Sequence, residues 1–379
     1  MLRRDGRRWW FDGRRAGVIT VVTVLVAVVA AACVPASPAP VVADYRPSAA
    51  PGPYAELELD RGDGVPVALA DPDVVRHEGR WFLYGTSSTE GFEAWSSADL
   101  TTWRYDGLVW RPRPGAWNDV ASFWAPDVHR DEDGSFLMYY TAGQRIGVAR
   151  GPSPLGPFTD LIDHPLVGGG FGAVGDGTYL RTGNVEADTL LNLDDQAIDA
   201  FVLDTTDGAR YLYFSSSPTV GSTTITAHRL LDDAVLAPGP PTAVLSVEVL
   251  GWEGVIREAP WVEERNGRFH LTYSGSPFFN TCYAVGEAVA DNPLGPFVRT
   301  GTGPFLHDDP AIGFLGPGHH ALTTGPDGTD IIFFHTLRSS SARQARWAPV
   351  SHDQSGNLRL VDPPGRVGTG RSSCWQFPI

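Results

Sequence analysis

A single hairpin unit recurs five times along this chain, and the recurrence restricts the fold more than any other feature. Turn glycines at Gly79, Gly134, Gly208, Gly267 and Gly328 each follow Glu, Asp or Asn and precede an aromatic-rich strand: WFLYGTS, FLMYYTA, YLYFSSS, FHLTYSG and IIFFHTL. Successive glycines are 55, 74, 59 and 61 residues apart, an imperfect period of about sixty. A unit of that length, rich in Trp, Tyr and Gly, holds four short antiparallel strands, and such units arrange radially as blades. The expected fold is therefore all-β, a five-bladed β-propeller. The pentapeptide PLGPF, present at 154–158 and again at 293–297, supports the equivalence of the repeats. A Gly-rich stretch from Thr159 to Gln196 lacks periodicity and reads as long loops at the entrance to the third blade.

Register carries the functional signal. Counting back from each turn glycine, eight residues in the first repeat and nine in the others, reaches Asp71, Ala125, Asp199, Glu258 and His319. Equivalent positions in equivalent blades share one height around one axis, so three carboxyls and a histidine are expected to converge there. Such clustering opposes ionisation and burdens folding unless function requires it.

Residues 1–32 belong to a different kind of sequence. Arginines at 3, 4, 7, 8, 14 and 15 precede a largely apolar run from Ala16 to Ala32, the pattern of a secretory signal peptide. Ala30-Ala31-Ala32 before Cys33 is a lipoprotein-type junction, with Cys33 the residue expected to carry lipid. Residues 33–53 are rich in Pro and Ala and read as an extended tether, leaving 54–379 as the propeller domain. Export to a bacterial cell surface, lipid-anchored or fully secreted, follows from this reading. Loss of the leader's six arginines and two aspartates takes the formal charge from −15 to −19, which disfavours nucleic acid and anionic membrane as partners. Contact with a membrane is expected only through lipid at Cys33, and the domain is expected to be a monomer. In an exported protein the remaining cysteines, Cys282 and Cys374, are expected to form a disulfide tying the tail to the fourth blade.

Two carboxyls on one pocket floor, one protonated and one ionised, can act as general acid and general base across a glycosidic bond. A third beside them would raise the acid's pKa by like-charge repulsion. Aromatic faces suit the apolar sides of sugar rings, and Trp124, Trp117, Trp252 and Trp261 are the candidates; Trp124 adjoins the second repeat's axial position. Asp73 reads as a structural acceptor, and Asp127 as a structural or pocket-rim residue.

These segments together resemble glycoside hydrolase family 43. The resemblance rests on Ala-Asp-Pro-Asp at 70–73, Ser-x-Asp-Leu-x-x-Trp at 97–103, Trp-Ala-Pro-Asp at 124–127, Ala-Ile-Asp at 197–199, Glu-Ala-Pro at 258–260, both PLGPF segments and Gly-Pro-Gly-His at 316–319. It implies an inverting hydrolase of plant polysaccharides, with Asp71 as general base, Asp199 as modulator and orienter, and Glu258 as general acid. His319 matches an axial histidine that in this family often lies near calcium or another cation, directly or through water; a purely structural histidine is the other reading. The chemistry itself requires no cofactor. Arg343, with Arg346 as competitor, resembles a last-blade arginine that reaches the pocket, and Trp124, Trp252 and His319 are the remaining expected sugar contacts. The motifs EAPW, YAVG and GPGHH resemble arabinan-acting members more than β-xylosidases. A non-catalytic sugar-binding propeller is the alternative from a different class.

Overall fold

The computed structural model describes residues 53–168, 196–219, 222–246, 251–310, 313–339 and 342–361, together with Cys374. The leader, Cys33, nearly all of the tether and most of the 159–196 insertion lie outside the described residues. Regular structure among the described residues is strand. Blade 1 comprises β1 (Ala70–His77), β2 (Arg80–Thr86), β3 (Phe92–Ser97) and β4 (Arg104–Trp110), paired in that order. Blade 2 holds β5 (Phe123–Arg130), β6 (Phe136–Ala142), β7 (Arg145–Gly151) and β8 (Thr159–Asp160). In blade 3, β9 (Ala197–Asp204), β10 (Arg210–Thr219), β11 (Ser222–Asp232) and β12 (Val235–Leu236) follow, with β13 (Thr242–Ala243) also on β11. Blade 4 is β14 (Arg257–Arg265), β15 (Arg268–Gly275), β16 (Ala284–Ala290) and β17 (Val298–Arg299). Blade 5 is β18 (Gly318–Thr324), β19 (Asp330–Leu337), β20 (Arg343–His352) and β21 (Leu358–Leu360). In blades 2 to 5 the outermost strands have only two or three residues and leave little exposed edge for pairing with another chain, whereas β4 of blade 1 has seven.

Period-two alternation explains how each repeat packs against two neighbours. In β2, Phe82 and Tyr84 join Val128, Phe136 and Met138 between blades 1 and 2. Trp81 and Leu83, on the other face, join Ile331, Phe333 and Trp347 between blades 5 and 1. Leu137 and Tyr139 meet Leu212 and Phe214 between blades 2 and 3, and Phe201 and Tyr213 meet Leu271 and Tyr273 between blades 3 and 4. Val285 and Leu306 pack on Ile332 and Phe334 between blades 4 and 5. These five interfaces close the ring. Each fully buried apolar side chain in them contributes roughly 1.5–3 kcal/mol.

The chain before blade 1 reinforces the closure. Tyr54 N–H donates to Trp347 O at 2.7 Å and Leu57 N–H to Ala345 O at 2.8 Å, while Leu57 and Leu59 enter the core between blades 5 and 1. Arg346 is consumed here, bonded to Tyr54 O, Glu56 and Thr336. It is not a pocket residue.

Candidate active site

In every blade the innermost strand slips register against its neighbour at one corresponding place. The last paired residues before the slip are Ala70, Trp124, Ile198, Glu258 and Gly318. Each is followed by a residue of positive φ: Asp71 (50°), Ala125 (45°), Asp199 (57°), Ala259 (53°) and His319 (45°). That conformation costs a non-glycine residue on the order of 1–3 kcal/mol and persists only where surrounding bonds hold it.

Those bonds run from blade to blade. Ala125 N–H donates to Thr86 Oγ1 (3.1 Å), Asp199 N–H to Thr141 Oγ1 (3.2 Å), His319 N–H to Ser274 Oγ (2.9 Å) and Asp71 N–H to His335 Nδ1 (3.1 Å). Between blades 3 and 4 a carboxylate intervenes. Ala259 N–H donates to Asp199 Oδ2 at 3.1 Å, and Ser215 Oγ donates to the same oxygen at 3.4 Å. Asp73 and Asp127 repeat the device one step along, accepting from Val128 N–H (2.8 Å) and Val202 N–H (3.2 Å), which is the structural part expected of them.

The bulges correct one reading of register. Glu258 is not the fourth-blade counterpart of Asp71, Asp199 and His319; Ala259 is, because blade 4 shares the eight-residue spacing of blade 1. Glu258 instead occupies the pre-bulge position of Ala70 and Trp124. Both of these line an open cleft of about 320 Å³, together with Thr86, Phe123 and Arg343. Of the bulge residues, Ala125, Asp199, Ala259 and His319 line a much smaller axial space of about 20 Å³.

Asp71 is buried and gripped from three sides. Arg343 Nη1 donates to its Oδ1 at 2.6 Å, Thr86 Oγ1 donates to its Oδ2 at 2.7 Å, and His319 Nδ1 lies 3.3 Å from Oδ1. Burial alone would raise its pKa; Arg343, His319 and the Thr86 hydroxyl outweigh burial and hold it well below the usual carboxylate range. Glu258 goes the other way. Burial pushes it up to about 7, Asp71 adding to the rise while a 2.8 Å bond from Tyr283 OH and the charge of Arg343 oppose it. Asp199 is likewise pushed up to about 7 by burial, opposed by His319 and aided by Glu258 and Asp71. Three acids from blades 1, 3 and 4 thus share one electrostatic space, one held ionised and two inclined to keep a proton near neutrality.

Of the four tryptophans, only Trp124 stands in the cleft lining. The expectation for Trp252 fails. Its indole is buried in the core between blades 3 and 4, stacked on Tyr273 at 5.8 Å. Gly275 on β15 and Gly286 on β16 leave the room it fills; a Cβ on Gly275 would come within 2.7 Å of the ring. Trp117 stacks on Tyr140 at 6.1 Å, and Trp261 packs on Phe201 at 4.6 Å. Cys282 and Cys374 are bonded, with Cα atoms 5.5 Å apart. As for a cation at His319, no group of three or more His, Cys, Asp and Glu side chains arranged to hold a metal occurs among the described residues, and its Nδ1 is turned toward Asp71.

The family model of glycosyl hydrolases family 43 matches residues 65–358. This chain belongs to that family.

The family 43 hydrolase is 28% identical over 297 residues to a beta-D-galactofuranosidase of Aspergillus niger, covering 73% of this chain and 76% of the other. It is 27% identical over 291 residues to an extracellular exo-alpha-(1->5)-L-arabinofuranosidase of Streptomyces chartreusis, covering 70% and 79%. Among solved structures, a thermostable family-43 glycoside hydrolase superposes with a TM-score of 0.65 at 25% identity, covering 81% of this chain and 96% of that one. The activity of this family 43 member is accordingly that of a glycosidase acting on polysaccharide or oligosaccharide.

Sequence reasoning missed three of the hydrolase's site residues. Thr86 and His335 close the quoted strands WFLYGT and FFH at the same cross-strand position as Thr141, Ser215 and Ser274, so alignment of those strands contained the signal. Tyr283 lies inside the quoted YAVG motif, but only the fold brings its hydroxyl to Glu258.

Proposed function

We propose that this hydrolase cleaves α-L-arabinofuranosyl linkages of arabinan- or arabinoxylan-type chains with inversion. Asp71 takes a proton from water as the water oxygen attacks the anomeric carbon. Glu258 gives its proton to the departing glycosidic oxygen as the carbon–oxygen bond breaks. Asp199 keeps the Glu258–Ala259 backbone in place through the Ala259 N–H and stands within electrostatic reach of the acid. The observation that carries this reading is the opposite bias of Asp71 and Glu258, one held ionised by Arg343 and one raised by burial. An inverting pair stands roughly 6.5–9.5 Å apart, leaving room for the water.

Trp124 is the proposed platform for a sugar ring, and His319 and Arg343, which border Asp71, the proposed polar contacts. A furanose is favoured because two of the relatives are named for furanosides. α-L-arabinofuranose and β-D-galactofuranose share their ring stereochemistry, the latter carrying a longer exocyclic arm. Export, with lipid on Cys33, completes the proposal; it is supported by the leader sequence and by the extracellular relative.

The test compares wild type, Asp71→Asn and Glu258→Gln on arabinan, arabinoxylan and the 4-nitrophenyl glycosides of α-L-arabinofuranose, β-D-xylopyranose and β-D-galactofuranose. Each variant is expected to fold and to lose about 10²–10⁴-fold in kcat. NMR of the first-formed sugar is expected to show the inverted anomer. Oligosaccharide binding without turnover by the wild type would favour a binding propeller, and preference for the xyloside would replace the sugar assignment.

A further inference from the structure

Four of the five second-strand residues at the blade seams carry a hydroxyl: Thr86, Thr141, Ser215 and Ser274. The fifth is His335, paired across from Gly318. A threonine there would serve the Asp71 N–H as Thr86 serves Ala125, so the seam alone does not call for an imidazole. His335 is fully buried, and its accepting Nδ1 places the ring proton on Nε2. Burial, with Arg343, holds its pKa well below the usual histidine value, so its 3.4 Å approach to Asp71 Oδ1 is a contact of a neutral ring and not an ion pair. The other face of the problem is Tyr283. Its ring lies 5.6 Å from that of His335 with 7° between the planes, and its hydroxyl donates to Glu258 Oε1.

We propose that His335 is a positioning residue that couples the two catalytic carboxyls: Nδ1 fixes the bulge backbone of Asp71, and the ring face fixes the Tyr283 phenol that orients Glu258. The inference rests on the acid and base roles given above. The charged and titratable groups facing Glu258 are Tyr283, Asp71, Asp199 and Arg343; those facing Asp71 are Arg343, His319, His335, Glu258 and Asp199.

Two substitutions separate the halves. His335→Thr keeps an acceptor for the Asp71 N–H and removes the stack; His335→Phe keeps the stack and removes the acceptor. Glu258 is followed by carboxyl-carbon NMR titration in glutamate-labelled protein, its signal assigned by its loss in Glu258→Gln. Because the Tyr283 bond stabilises the carboxylate, His335→Thr is expected to raise the midpoint of Glu258 by about half a pH unit, whereas His335→Phe leaves it in place. In a Tyr283→Phe background His335→Thr is expected to produce no further shift. Both single variants are expected to lower kcat about tenfold with KM held, on whichever aryl glycoside the wild type cleaves. Should His335→Thr not fold, His335→Asn supplies the same acceptor without the ring. Equal midpoints in both variants, or additive shifts with Tyr283→Phe, would overturn the coupling. The titration reads this without turnover, so a wild type inactive on every glycoside would sink the catalytic reading and leave the coupling to be judged by its own result.

Discussion

Arg343, the first residue of β20, donates to Asp71, the first bulge residue of β1, at 2.6 Å across 272 residues of sequence. The guanidinium also lies over the ring of Phe278, 4.6 Å from its centroid, a second contact that holds the arginine in place. Without this charge the main remaining influences on Asp71 are burial, which raises its pKa, and His319 and Thr86, which lower it. Arg343→Ala is therefore expected to move the acidic limb of the kcat/KM profile upward and to lower the plateau about 100-fold, with Arg343→Lys intermediate. An unmoved acidic limb would remove Arg343 from control of the base.

Phe278→Ala tests the second contact of the arginine. Its ring is exposed, so the change is expected to leave the melting temperature close to wild type. A cation–π contact of this kind is worth about 0.5–1 kcal/mol, which sets the expected loss in kcat/KM at roughly two- to fivefold. A larger loss would mean that Phe278 itself touches substrate.

Stability should carry the imprint of the raised carboxyls. Glu258 is pushed up to about 7, chiefly by burial, whereas in the unfolded chain it titrates near its ordinary value of 4.5. Between those values the native state keeps a proton that the unfolded state has lost, so stability falls as pH rises through the window and levels off above it. Glu258→Gln removes the dependence. The variant is expected to match wild type near pH 4 and to exceed it at pH 8 by up to about 3 kcal/mol in denaturant titrations. Asp199, also near 7, keeps its own share of the slope. A variant no more stable than wild type at pH 8 would contradict the burial argument.

Trp124 and Trp252 should behave in opposite ways. Trp124→Ala, on the cleft wall, is expected to raise KM several-fold with little change in melting temperature. Trp252→Ala empties a buried site beside Tyr273 and is expected to cost about 3–5 kcal/mol of stability. Denaturant melts and initial rates on both variants check the pair; the reverse pattern would exchange their places.

The Cys282–Cys374 bond ties positions 92 apart in sequence. Cys282 directly precedes Tyr283, the donor to Glu258. Replacing both cysteines by serine is expected to cost about 2–4 kcal/mol, mostly by freeing the unfolded chain. It is also expected to lower kcat more than it raises KM. Unchanged thermal unfolding of the double variant would show that the tail adds nothing to the propeller.

Much of this molecule could be read without coordinates, because blade formation depends on information that is local in sequence. Period-two alternation in strands such as FLMYY sends Leu137 and Tyr139 to one neighbour and Phe136 and Met138 to the other, and recurrent turn glycines mark the hairpins. The approximate height of Asp71, Asp199 and His319 followed from those turns. Where each strand breaks register did not, because the slip is set by pairing with the next strand and by bonds from the preceding blade. That is why Glu258 was placed one residue out of step, in the position that belongs to Ala259. The fate of Trp252 depended on two glycines in separate strands opening space for its indole. His335 and Tyr283 acquire meaning only where blades 4 and 5 bring their rings together beside Asp71 and Glu258. The repeat pattern by itself determined the five-bladed ring and the approach of acids to one axis. Contacts between residues far apart along the chain decided which acid keeps its proton, since burial and opposing charge are properties of the assembled ring.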